Sequence, residues 1–95
     1  MKNRDRFELL QEATLAVTQR GEAYGDVYTN HERIATLWTV VLGSVVRADQ
    51  VAQMMVALKL ARLMETPDHW DSWVDIAGYA ATGAQCVEEI AANDD

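Results

Sequence analysis

The stretch DQVAQMMVALKLARLME, residues 49–65, decides the fold class. Between Val51 and Met64 only Gln53, Lys59 and Arg62 are strongly polar. Its apolar residues do not alternate with the period of a strand, and Ala, Leu, Met, Glu and Gln favour helix. It reads as a helix that is apolar nearly all round. Such a helix is normally buried at the centre of a bundle.

Outward from it, helical signals continue in both directions. Downstream, Thr66 stands as N-cap, Pro67 at the first helical position and Asp68 in the first turn. They predict a helix over 67–91. Its middle, Ala77-Gly78-Tyr79-Ala80-Ala81-Thr82-Gly83-Ala84, carries few bulky side chains. Gly inside a helix costs about 1 kcal/mol relative to Ala, and a close helix–helix approach would offset that cost. Upstream, Ile34, Leu37, Trp38 and Val41 form the apolar stripe of a helix over 29–43. Thr29 and Glu32 have the spacing of a capping box. Phe7, Leu10, Ala13 and Val17 recur at helical spacing over 3–19. A turn-rich loop, Arg20-Gly21-Glu22-Ala23-Tyr24-Gly25-Asp26, joins these two. The expectation is an all-α bundle of four helices in one domain, 1–95.

Composition narrows the function. Fifteen acids against eight bases give a net charge of −7, and Lys and Arg form no run. General nucleic-acid binding needs a basic surface and is excluded. A small anionic ligand needs only a few bases and stays open. The lone cysteine, Cys86, forms no internal disulfide and reads as a small core residue, which fits a cytoplasmic location. No stretch has the charge pattern of a signal peptide or the apolar length of a membrane span. Half of the residues are apolar (49%), yet a chain of this size hides only roughly 64% of its extended surface on folding. The surplus, placed on helices three and four, predicts a homo-oligomer, at least a dimer.

The chemistry centres on a conflict. Lys59 and Arg62 lie about 60° apart on the helix expected to be most buried, and buried cations must be paired. Asp71 and Asp75, four residues apart, share one face of the next helix. A hairpin around Met64–Pro67 would bring Lys59, Arg62, Asp71 and Asp75 together. Carboxylates at this spacing suit Mg²⁺, and the cations suit phosphates. The competing structural explanations are cations that reach solvent on their alkyl stems and a salt-bridge network without function. Tyr24, Gly25 and Asp26 form a second candidate: an aromatic face, a close-approach glycine and a carboxylate. Trp70 or Trp73 could line a pocket for a base. His31 and His69 match no zinc spacing, and Asp68-His69 reverses the order used by HD-type phosphohydrolases.

The combination Arg20…Tyr24-Gly25-Asp26, Asn30-His31-Glu32-Arg33-Ile34-Ala35…Trp38, Lys59-Leu60-Ala61-Arg62 and Asp71-Ser72-Trp73-Val74-Asp75-Ile76-Ala77-Gly78-Tyr79-Ala80 resembles a small family of unknown function. Its members are mostly encoded by tailed phages and prophages. That family is distantly similar to the all-α nucleoside triphosphate pyrophosphohydrolases, the MazG and dimeric dUTPase group. The resemblance implies an oligomeric helical bundle that binds Mg²⁺ and cleaves a nucleoside triphosphate to monophosphate and pyrophosphate. Asp71 and Asp75 would be the metal-binding and catalytic acids. Lys59 and Arg62 would face the phosphates, while Arg20, Tyr24, Gly25 and Asp26 would close over the nucleotide. The group's first acidic motif, E-E-x-x-E, has no clear counterpart here: helix two offers only Glu32, and 33–44 holds no acid. Glu8 with Glu12, or Glu22 or Asp26, would have to substitute. The gap leaves two further readings: a phage protein that sequesters a nucleotide without cleaving it, and a structural or interaction bundle.

Overall fold

A computed structural model describes residues 4–93. It is all-helical: α1 (Arg6–Tyr24), α2 (Val27–Leu42), α3 (Ala48–Glu65) and α4 (Trp70–Asn93). The expected fold class and helix number are borne out. Residue 3, where the first helix was expected to begin, lies outside the described residues.

Three internal boundaries differ from the sequence reading by two residues or more, each because another group satisfies the helix end. The expected 20–26 loop shrinks to Gly25-Asp26, because α1 runs on through Gly21. It stops at Gly25, whose φ of +79° suits a residue without a side chain. The Gly25 N–H donates to Gly21 O at 2.9 Å. Asp26, not Thr29, then caps α2. Its carboxylate accepts from both the backbone N–H and the hydroxyl of Thr29, each at 2.9 Å. Thr29 thus lies inside the first turn of α2 rather than at its N-cap, so the expected Thr29–Glu32 capping box does not form.

The third difference is at α4, which starts at Trp70 rather than Pro67. Thr66 ends α3 instead, with its N–H on Arg62 O at 3.0 Å. Thr66 to His69 closes as a turn, His69 N–H to Thr66 O at 3.1 Å. Proline is favoured at the second position of such a turn, where its fixed φ is an asset. His69 takes the capping role: its Nδ1 accepts from the Ser72 N–H at 3.3 Å and lies 2.7 Å from the Ser72 hydroxyl oxygen.

The core is built from small side chains. Ala13, Ala35, Ala48, Val51, Ala52, Leu63, Val74 and Cys86 are its buried apolar members. The close approach expected of α4 is present. A Cβ added to Gly83 would stand 3.0 Å from the Ala52 Cβ on α3, and one on Gly78 would stand 3.4 Å from Val17 of α1. Part of the small-residue face of α4 is therefore taken up within the chain.

Central burial of α3 is only half realised. α3 packs against α4 and α2, and α1 does not reach it among the described residues. One side is left uncovered, so Met54, Leu58, Leu60 and Met64 are exposed. The molecule is correspondingly long, 49 × 26 × 22 Å, with a radius of gyration of 14.5 Å. A compact domain of this length would have about 12 Å.

Candidate functional site

The α3–α4 hairpin does bring Lys59 to Asp75. The Lys59 ammonium lies 3.0 Å from the Asp75 carboxylate, and both side chains are largely buried. Arg62 and Asp71 do not join them. Both are exposed, and neither side chain makes a hydrogen bond or ion pair among the described residues. The expected four-residue cluster is thus one closed pair flanked by two solvated charges. Arg62 stands in the last turn of α3 and Asp71 in the first turn of α4, at the end of the hairpin, where a long polar side chain reaches water freely.

Arg20 enters from another direction. Its guanidinium carbon lies 4.6 Å from the centre of the Tyr79 ring, a cation–π contact. Tyr79 follows Asp75 by four residues and shares its face of α4. Tyr79 stands about 6 Å farther along α4 than Asp75, with Arg20 over its ring. Tyr79 also borders a shallow groove of about 230 Å³ between α3 and α4, lined further by Asp49, Gln53 and Val56 over a floor of Ala52 and Gly83. Asp49 is buried and held by Arg47 at 3.1 Å.

Behind Tyr79 lies His31, which the sequence motifs passed over. Its ring centre is 6.4 Å from that of Tyr79, and the residue is 2% exposed. Nδ1 sits 3.1 Å from the carbonyl oxygen of Val27. A carbonyl only accepts, so Nδ1 carries the proton, and neutral Nε2 presents a lone pair. That Nε2 is buried without a partner among the described residues. Burial lowers the His31 pKa, the Val27 carbonyl opposes this, and the positive charge of Arg20 adds to the lowering. The sequence did hold a signal: His31 continues the stripe of Ala35 and Trp38 at i+4 and i+7, the buried side of α2.

The remaining expected residues are scattered. Tyr24 is exposed, and Gly25 and Asp26 serve the α1–α2 junction. Two hydrogen bonds from Thr29 hold the Asp26 carboxyl below its ordinary pKa. The tryptophans line a different groove of about 370 Å³ with Arg4, Arg6, Leu9 and Asp68. At 100° per residue Trp73 and Asp75 point about 160° apart around α4, so that groove does not serve a ligand at Lys59. The Trp70 indole N–H donates to Glu12, which ties that acid to the tryptophan. No group of three or more His, Cys, Asp or Glu side chains converges among the described residues. Asp71 and Asp75 alone would leave most of a Mg²⁺ coordination sphere to water. They do not make a closed metal site. Cys86 is fully buried, and burial, reinforced by nearby carboxylates, raises its thiol pKa. It is no nucleophile.

A family model described as "Domain of unknown function (DUF6378)" matches residues 8–87. The chain belongs to the DUF6378 family. Curated relatives include the Gene 55 protein of Mycobacterium phage L5, 54% identical over 63 residues, which are 65% of this chain and 40% of the relative. The Gene 55 protein of Mycobacterium phage D29 is 36% identical over 83 residues, 86% of this chain and 52% of the relative. The chain thus spans about half the length of the curated relatives it matches. No solved structure matches it. Membership of a small phage family without assigned function, expected from the motifs, is borne out. No helix among the described residues is long and apolar enough to cross a membrane.

Proposed function

We propose that this DUF6378 member binds a nucleoside phosphate at the end of the α3–α4 groove. The observation that carries the reading is the placing of two cations from different helices, Lys59 of α3 and Arg20 of α1, along one face of α4. In a chain of net charge −7, cations so gathered supply local attraction for an anion. The Tyr79 ring, which Arg20 overlies, borders the groove and adds apolar contact for a base or sugar. A phosphate would compete with Asp75 for Lys59. Binding without hydrolysis is favoured, because the acids that would hold a catalytic metal do not converge. The whole protein would act as a phage factor that sequesters a nucleotide.

The experiment is calorimetric titration with a panel of ribo- and deoxyribonucleoside mono- and triphosphates, with Mg²⁺ present and absent. Binding that Lys59→Met and Arg20→Met each weaken supports the proposal. No heat from any nucleotide refutes it.

A second reading, hydrolysis of the MazG type, is favoured by one observation: Asp71 and Asp75 share a helix face beside Lys59. It requires carboxylates from elsewhere, such as a second copy. Pyrophosphate release from a nucleoside triphosphate, lost in Asp75→Asn, would establish it in place of sequestration.

A further inference from the structure

Apolar side chains crowd the outer face of α2 and the loop after it. Leu37, Val40 and Val41 are 65%, 78% and 80% exposed, and Val45 in the loop is 82% exposed. On a helical wheel Leu37, Val40 and Val41 fall within about 100°, away from His31 and Ala35 on the buried side. Val45 links it to a shallow groove of about 320 Å³ at the edge of α3, lined also by Leu42, Val46, Gln50, Met54 and Ala57. From Ile34 to Val46 there is no charged residue. A solvent-facing helix normally carries charge there.

The amount of exposed surface indicates what covers this face. The accessible surface is 6695 Å², whereas a monomeric protein of this mass exposes about 5,500 Å². The excess, about 1,200 Å², exceeds the roughly 800 Å² that each partner contributes to a standard interface. Charge points to the identity of the partner. Two copies of net charge −7 repel wherever their charged surfaces meet, and this strip presents no charge to oppose its own image. A two-fold axis brings a patch against itself, so an uncharged apolar face is self-complementary.

We infer that the outer face of α2, with the adjoining edge of α3, is the surface on which a second copy of this chain docks. The interface centres on Val41 and is isologous. It relocates the apolar surplus that the sequence placed on helices three and four: α3 contributes its edge, and α2 supplies the middle. The inference does not depend on the nucleotide reading.

Sedimentation velocity at micromolar concentration, with light scattering, tests it. Wild-type protein is expected at twice 10.6 kDa. Val41→Glu places two carboxylates against each other near the axis and should weaken association at least about 100-fold, because like charges across an interface cost several kcal/mol. Val40→Glu should act in the same way. Both positions are solvent-facing in the single chain, so circular dichroism should be unchanged. Met64→Glu, at an 85% exposed apolar residue two turns beyond Ala57 and outside the groove lining, should leave the dimer intact. A monomeric wild type would overturn the inference. So would a dimer that survives both valine substitutions, or one that Met64→Glu alone disrupts.

Discussion

Lys59 and Asp75 tie α3 to α4 through an ion pair of 3.0 Å, with side-chain exposures of 21% and 26%. Pairs at this depth lie between two regimes. Exposed pairs contribute about 0–1 kcal/mol, whereas breaking a buried one costs about 3–5 kcal/mol. Asp75→Asn should therefore destabilise the chain by about 1–2 kcal/mol, and Lys59→Met by a similar amount. The double variant Lys59→Met with Asp75→Leu should recover most of the loss, since apolar packing often replaces such a pair. Urea denaturation of the three variants measures this. Recovered stability combined with lost nucleotide affinity would assign the pair to ligand binding. Recovered stability with affinity intact would make it structural.

Two glycines inside helices should respond oppositely to alanine. Around Gly21 of α1 nothing lies within 4 Å of an added Cβ. Gly21→Ala should then stabilise by about 0.5–1 kcal/mol, the ordinary helix preference. At Gly83 the added Cβ would meet the Ala52 Cβ at 3.0 Å, and Ala52 has no flexible side chain to move aside. Overpacking costs about 1–3 kcal/mol, which outweighs the helix preference. Gly83→Ala should lower Tm while Gly21→Ala raises it, at about 4–8 °C per kcal/mol for a domain of this size. The same sign at both positions in a thermal melt would contradict the packing of α3 on α4.

Periodicity and composition reveal the helices because those signals are local. Four elements, the hairpin between the last two, and the close-packed glycines of α4 are all legible in this way. Helix ends were less so. Thr29, Thr66 and Asp26 all carry capping groups, and which one caps depends on where the preceding helix stops. The site was legible in part. Helix spacing alone pairs Lys59 with Asp75 across a hairpin, but it could not show that Arg62 and Asp71 turn to solvent. Arg20 meets Tyr79 from 59 residues away in sequence, a tertiary contact no local pattern encodes. His31 stands in the Asn30–Ala35 motif, but the motif gives it no role. Its importance lies in burial, which a single position in a stripe expresses only weakly.

Burial of His31 makes stability depend on pH with a definite sign. The folded-state pKa is lowered from the ordinary 6.5 of a histidine, chiefly by removal from water. The unfolded chain therefore takes up a proton at a pH where the folded chain does not. Stability from this group is fully present above pH 6.5. It falls as pH drops below 6.5, until the folded state is itself protonated. The groups facing the imidazole act in the same direction or are neutral: Arg20 from α1 disfavours the cation, and the Tyr79 ring from α4 carries no charge near this pH. Urea midpoints for wild type should decline between pH 7 and pH 5, by at most about 1.4 kcal/mol per pH unit for one proton. Carboxylates elsewhere also titrate toward the lower end, so the comparison that isolates His31 is His31→Gln. It should be less stable than wild type at pH 7, because it removes the Val27 contact and alters the packing. Its midpoint should nevertheless vary less with pH between 7 and 5. An equal pH dependence in the two proteins would mean that His31 exchanges protons as freely folded as unfolded, and would contradict its burial beneath Tyr79.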